Sequence, residues 1–206
     1  MRITSGQIIL LITAVIVTAV IVFSDRSPSS APESAEFVEK TVTKEDVQIE
    51  KALEIINGGG PPMEGINMLK ELAESEDPNI NAVYQLAKYS VSTGQLDKAV
   101  ERYSQMLELD PDNIFATWKL AMLNFEMGDL EQAVSRFQDC VEKDETLILG
   151  YFFMAQCYEA MGRKGEALKA AKTYLPLASD SVGIAAAKKI INSLEVEATR
   201  ADDINP

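Results

Sequence analysis

The chain contains no histidine, only two cysteines and a single tryptophan among its 206 residues. Without histidine it lacks the commonest general base and the commonest zinc ligand of proteins. The spacing of Cys140 and Cys157 fits neither a CxxC motif nor a four-ligand metal pattern. No phosphate-binding glycine loop, nucleophile elbow or HExxH zinc motif occurs. We therefore expect no enzyme activity, no metal, no cofactor and no small-molecule substrate.

Basic residues are also scarce. The 19 Lys and Arg residues are outnumbered by 32 Asp and Glu residues, which gives a formal net charge of −13. An acidic chain repels phosphate backbones, so we expect no nucleic-acid partner. The acidic cluster of Glu71, Glu74, Glu76 and Asp77 is typical of a solvated helix face rather than of a catalytic carboxylate pair.

The segment from Ile3 to Phe23 contains no charged residue and is almost wholly apolar. A helix over this segment would be about 31 Å long, which matches the hydrocarbon core of a bilayer. The alternative is a cleaved signal peptide, but the apolar run is longer than an ordinary h-region. The only small-residue cleavage candidate, Ser29-Ser30-Ala31, lies well beyond the run. We predict that residues 1–23 form an uncleaved transmembrane signal anchor.

The charges that flank this segment are nearly balanced. Arg2 and the amino terminus precede it, and Arg26, Lys40 and Lys44 follow it. The short N-terminal tail favours an internal N-terminus, which in a bacterium would place the rest of the chain in the periplasm at the inner membrane. Residues 24–45 are rich in Ser, Pro and charge without sustained periodicity, and this composition predicts a flexible linker.

The rest of the chain repeats itself every 34 residues. Gly94, Gly128 and Gly162 follow this period. Three further sets of residues follow it too: Ala99, Ala133 and Ala167; Leu86, Leu120 and Met154; and Ala87, Ala121 and Ala155. The pattern predicts paired helices that approach closely at the small residues, with a glycine of positive φ in the turn between them.

This pattern resembles the tetratricopeptide repeat (TPR) family, whose members are α-solenoids of helix–turn–helix units. The resemblance implies an all-α, right-handed solenoid. A degenerate unit is expected over 46–79, and three regular units over 80–113, 114–147 and 148–181. A capping helix over 182–198 should cover the last unit with Ile184, Ala187, Ile191 and Leu194, and a tail over 199–206 should follow.

The first unit departs from the family pattern. Gly60 and Gly65 fit the period, but Leu53 is large where the family has a small residue. The sequence GGGPP also lengthens the turn between the two helices of this unit. We expect the first unit to pack less regularly than the others.

The stretch FATWKLAML, residues 115–123, would have two apolar stripes as a helix, although a surface helix needs only one. One stripe contains Ala116, Leu120, Leu123 and Met127, and the other contains Phe115, Trp118, Met122 and Phe125. In the family a Trp commonly lies three residues before the repeat Leu. Here Thr117 occupies that place, and the shift to Trp118 rotates the ring by about 100°. The resemblance therefore implies that the second stripe lines the concave groove.

This groove is the predicted protein-binding site. Its predicted residues are Tyr84, Lys88, Phe115, Trp118, Lys119, Met122, Phe125, Leu149, Phe152, Phe153 and Gln156. We expect it to bind a segment with apolar anchors, and basic residues of the partner would suit its acidic rim. The alternative is that the groove is filled by the chain itself, either by the linker with Phe37 and Val38 or by the C-terminal helix.

Some family members hold acidic C-terminal tails with a clamp of Lys, Asn and Arg side chains. At the matching positions of this chain only Lys88 and Lys119 are basic, and neither lies where the clamp has Lys or Arg. We therefore do not expect an acidic-tail receptor.

The resemblance implies a membrane-anchored adaptor or scaffold that binds a protein of the cell envelope. The alternative is a chaperone-like assembly factor for membrane or exported clients, similar to TPR proteins of cytochrome c maturation or of the translocon. An adaptor should select one partner, whereas an assembly factor should protect many. We expect Cys140 and Cys157 to be buried free thiols, and a disulfide in an oxidising compartment is the alternative.

Overall fold

The computed structural model describes residues 42–204, with side chains described through residue 196. The predicted anchor and nearly all of the predicted linker lie outside the described residues. Within residues 42–204, no helix has the length and apolar character needed to span a bilayer.

The described part of the chain contains nine α-helices. They are α1 (Lys44–Asn57), α2 (Pro62–Ala73), α3 (Ile80–Ser92), α4 (Leu96–Leu109), α5 (Ile114–Met127), α6 (Leu130–Lys143), α7 (Leu149–Ala160), α8 (Lys164–Tyr174) and α9 (Ser181–Ile204). The first helices α1, α3, α5 and α7 pair with the second helices α2, α4, α6 and α8, and α9 packs on α8 and α7. The predicted all-α helix–turn–helix architecture is confirmed.

Two helix ends differ from the sequence-based expectation. Helix α1 begins at Lys44, within the predicted linker. It begins there because Thr43 and Asp46 form a capping box: the side chain of each residue accepts a hydrogen bond from the backbone N–H of the other. Helix α9 continues to Ile204 instead of ending at residue 198. No proline or glycine interrupts the sequence between Gly183 and Pro206, so nothing stops the helix earlier.

The turns confirm the role of the periodic glycines. Gly94, Gly128 and Gly162 have φ values of 70°, 83° and 73°, which only glycine adopts without strain. In the first unit the positive φ of 78° belongs to Gly59 instead of Gly60. The longer turn before α2 moves the left-handed residue one position away from the periodic column.

The hydrophobic core has two main clusters that meet at α5. Ala116, Leu120 and Leu123 belong to the cluster built mainly from α1 to α4. Trp118, Met122 and Phe125 pack against the cluster built from α6 to α9. Three residues of the second stripe therefore pack towards the second cluster, whereas the fourth, Phe115, contacts Tyr84 and Tyr103 of the first cluster. The second stripe, predicted to line the groove for a partner, is thus partly covered by the chain itself.

Helix α9 covers the apolar side of the last unit with Ala187, Ile190, Ile191 and Leu194, which are all buried. Ile184, expected on the same face, is only half-buried. The start of α9 is fixed by Asp180, whose carboxylate accepts hydrogen bonds from the Tyr174 hydroxyl and the Gly183 backbone N–H. This arrangement ties the capping helix to α8.

Cys140 and Cys157 are free and fully buried, as predicted. Burial, with a smaller contribution from Asp139, raises the pKa of the Cys140 thiol to about 11. Burial raises the pKa of the Cys157 thiol to about 12. Both thiols are therefore inert in the folded chain at neutral pH.

We expect the free energy of unfolding to fall as the pH rises from about 9 to 11. The pKa of both thiols is higher in the folded chain than the value of about 8.5 for an unfolded cysteine, so their contribution is complete below pH 8.5 and is lost above it. Guanidinium unfolding across this range measures the effect. A Cys140→Ala, Cys157→Ala variant should lose less stability over the same range, and equal losses would contradict this assignment.

Candidate protein-binding face

All of the predicted groove residues lie on the first helices α3, α5 and α7, but two of them are buried. Phe152 packs on Tyr174 at a ring-centroid distance of 5.2 Å. Phe153 stacks on Phe137 at 5.1 Å. Since both rings are internal, the prediction that Phe152 and Phe153 line an open groove is wrong.

The other nine predicted residues retain accessible surface, and so does Val91 of the same groove. We define the first-helix face as Tyr84, Lys88, Val91, Phe115, Trp118, Lys119, Met122, Phe125, Leu149 and Gln156. Phe115 and Val91 are the most exposed apolar members, at 45% and 41%. The apolar centre of the face therefore lies on α3 and α5, nearer the N-terminal end than predicted.

Trp118 contributes less to this face than the sequence suggested. Its ring is half-buried and makes edge-to-face contacts with Phe137 at 5.2 Å and Phe153 at 6.0 Å. These contacts join α5 to its own second helix and to the next first helix. The rotation by one residue thus moves Trp118 into the junction between two units, and the residue is only partly accessible.

The exposed part of the face is built around a pair of rings. Tyr84 and Phe115 meet edge to face with centroids 5.4 Å apart, and Tyr103 of α4 lies 6.5 Å from Phe115. The Lys119 Nζ lies 5.2 Å from the centroid of the Phe115 ring, within range of a cation–π interaction. Burial lowers the pKa of Lys119.

One contributor to this patch, Tyr103, was absent from the predicted groove. Tyr103 is buried beneath Phe115. Its burial is the larger cause, and the neighbouring Tyr84 the smaller cause, that raise the pKa of Tyr103 to about 12. Val91 shares its periodic column with Phe125, and the 34-residue period predicts it as a further groove position.

Ion pairs join neighbouring elements away from this face. Arg102 Nη2 lies 2.6 Å from Glu74 Oε1, Lys143 Nζ lies 2.8 Å from Asp112 Oδ1, and Lys172 Nζ lies 2.8 Å from Glu195 Oε1. Arg163 pairs with Glu131 and Glu166. Exposed pairs of this kind contribute little to stability. Among the described residues, no cluster of three His, Cys, Asp or Glu side chains could hold a metal ion.

Comparison with known proteins identifies the repeat. Residues 90–146 match the model of the tetratricopeptide repeat family. The fold is similar to MamA of AMB-1, with a TM-score of 0.62, 17% identity and coverage of 79% of this chain and 86% of MamA. MamA from residue 41 to its end, from Desulfovibrio magneticus RS-1, gives a TM-score of 0.59, 16% identity and coverage of 77% and 97%. No curated protein matches the chain.

Proposed function

Because the chain is a tetratricopeptide repeat protein, we propose that it acts as a protein–protein interaction module whose first-helix face binds a segment of a partner protein. The exposure of the Phe115 ring at the centre of this face carries the proposal. Val91 extends the apolar surface, and Tyr84 and Met122 keep part of their own surface accessible. Contiguous exposed apolar surface usually marks a binding site.

The exposed apolar side chains differ in their surroundings. Phe115 is held in place by its contacts with Tyr84 and Tyr103, so little side-chain freedom is left to lose when a partner binds. Val182 of α9 is also exposed, at 59%, but it lies on the capping helix and is not part of the first-helix face. This difference makes Val182 a matched control for Phe115.

We expect Phe115→Glu to abolish capture of the partner without unfolding the chain. A charge at this exposed position disrupts an apolar contact but removes little core packing. Wild-type and variant chains would be used for capture from detergent-solubilised membranes, followed by mass spectrometry. Val182→Glu, with the same change of charge, should capture normally. Equal capture by wild type and Phe115→Glu would disprove the proposed face.

The identity of the captured proteins separates the two functions. We propose an adaptor, for which one protein should be captured in a fixed ratio and lost with Phe115→Glu. Many unrelated proteins captured through the same face would identify a chaperone-like assembly factor instead.

We further propose that residues 1–23, with the apolar run from Ile3 to Phe23, anchor the module in a membrane, with the repeats on the periplasmic side of a bacterial inner membrane. The uninterrupted apolar length of this segment supports the anchor. The short N-terminal tail supports the orientation.

The full-length chain should resist carbonate extraction and keep an N-terminus at or beside Met1. Protease added after the outer envelope is opened should digest the repeats. A mature N-terminus after Ala31 would exclude the anchor. If the repeats resist the protease while the membrane is intact and are cleaved only after it is dissolved, the orientation is the reverse of the one proposed.

A further inference from the structure

The first-helix face carries two lysines that make no ion pair with any described side chain, Lys88 and Lys119. Other lysines, such as Lys51, Lys98 and Lys169, also make no ion pair with a described side chain, but none of them belongs to this face. A chain with a net charge of −13 has carboxylates in excess, yet none is placed against these two ammonium groups. The face therefore offers positive charge to a partner.

The two lysines are positioned around the ring pair at the centre of the face. Lys88 follows Tyr84 by one helical turn on α3, and Lys119 follows Phe115 by one turn on α5. Because the Tyr84 and Phe115 rings are in contact, each lysine lies one turn beyond a ring of the same pair. An apolar side chain seated against the rings would have both ammonium groups within reach of its sequence neighbours.

We propose that the partner segment carries an apolar side chain next to Asp or Glu; this inference rests on the proposed function. The apolar side chain would pack on the Tyr84–Phe115 ring pair, and the side-chain carboxylate would pair with Lys88 and Lys119. The partner chemistry thus differs from the sequence-based expectation of basic residues that face an acidic rim. The nearby acidic residues Glu126 and Glu159 lie near the C-terminal ends of α5 and α7, away from the ring pair at the start of α5.

Lys119 should contribute more than Lys88 to this pairing. Lys119 is half-buried as a residue and its ammonium group lies over the Phe115 ring, where water screens charge less than at a fully exposed site. Lys88 is exposed, so its attraction for a carboxylate is weaker and more sensitive to salt.

Binding of the purified full chain to an array of random peptides of about 12 residues tests the proposal. Acetylated and amidated ends remove the terminal charges, so that only side-chain carboxylates remain. Bound peptides should be enriched in Asp or Glu beside Phe, Leu, Ile or Val. Lys119→Gln should weaken the best peptide about tenfold and Lys88→Gln by less, whereas Lys169→Gln, an exposed lysine of α8, should have no effect.

Two results would overturn this proposal and are distinguishable from failure of the proposed function. Enrichment of Lys or Arg beside apolar residues, with binding abolished by Phe115→Glu, would refute the acidic partner but keep the face. Apolar enrichment without any preference for charge would do the same. Binding that is indifferent to Phe115→Glu would refute the face as well. Helical circular dichroism of each variant shows that the chain remains folded.

Discussion

Phe137→Ala should lower the free energy of unfolding by about 3–5 kcal/mol, the largest effect of any single substitution considered for this chain. Phe137 is fully buried, and its ring contacts both Trp118 and Phe153. Removing the ring leaves a cavity between α5, α6 and α7, which backbone movement can fill only in part. Guanidinium unfolding followed by circular dichroism measures the loss.

The matched control for Phe137→Ala is Phe115→Ala, the same substitution at an exposed ring. Phe115 is 45% exposed, so its removal should cost about 1 kcal/mol. Trp118 fluorescence should change more with Phe137→Ala, because that ring lies in direct contact with the indole. If the two substitutions cost the same, the assignment of the buried and exposed sides of α5 would be wrong.

Gly65→Ala should destabilise the first unit by about 2 kcal/mol, although alanine is normally the better helix former. A Cβ atom at Gly65 would lie less than 3.0 Å from the Ala52 carbonyl oxygen and 2.8 Å from Ile56 Cγ1. The carbonyl belongs to the backbone of α1 and cannot move aside without displacing that helix. The two helices of the first unit would separate, and part of the packing around Ala52 and Leu69 would be lost.

Gly165→Ala is the control for Gly65→Ala. Gly165 also lies in a helix, α8, but a Cβ atom there would have no neighbour within 4 Å. The substitution should therefore be neutral or stabilise the chain by up to about 1 kcal/mol. Opposite signs at the two glycines are the expected result, measured by thermal or guanidinium unfolding. A stabilising Gly65→Ala would show that α1 and α2 do not approach closely.

The periodic residues were sufficient to predict the fold because each has a local physical role. Gly94, Gly128 and Gly162 adopt positive φ in the turns, and the alanines of the same repeat are buried where the helices meet. In the first unit, where Leu53 is large, Gly65 provides the close approach that Ala99 provides in the next unit. The small-residue column thus predicted a close helix contact even in the degenerate unit.

The exposed face was harder to predict, because a periodic column does not fix its environment. Tyr84, Trp118 and Phe152 share one column, yet the first two are half-buried and the third is buried. The neighbours differ: Tyr84 contacts Phe115 of the next first helix, whereas Phe152 lies against Tyr174 and the Ala187 region of the capping helix. The sequence of one helix cannot specify what packs beside it.

The two stripes of α5 illustrate the same limit. Hydrophobic periodicity shows that both stripes avoid water, but it does not distinguish contact with the next unit from contact with a partner. Trp118 makes the first kind of contact, and Phe115, one turn earlier, retains the accessible surface for the second. The accessible part of the first-helix face is therefore smaller than the sequence suggested and is centred on α3 and α5.

Site-specific photo-cross-linking in intact cells tests the central claim most directly. A benzophenone amino acid would replace Phe115 on the first-helix face in one variant and Val182 on the capping helix in another. Both positions are exposed. We predict one discrete cross-linked partner from position 115, suppressed by Lys119→Gln, and none from position 182. The same partner cross-linked from position 182 but not from position 115 would show that the first-helix face is not the interaction surface.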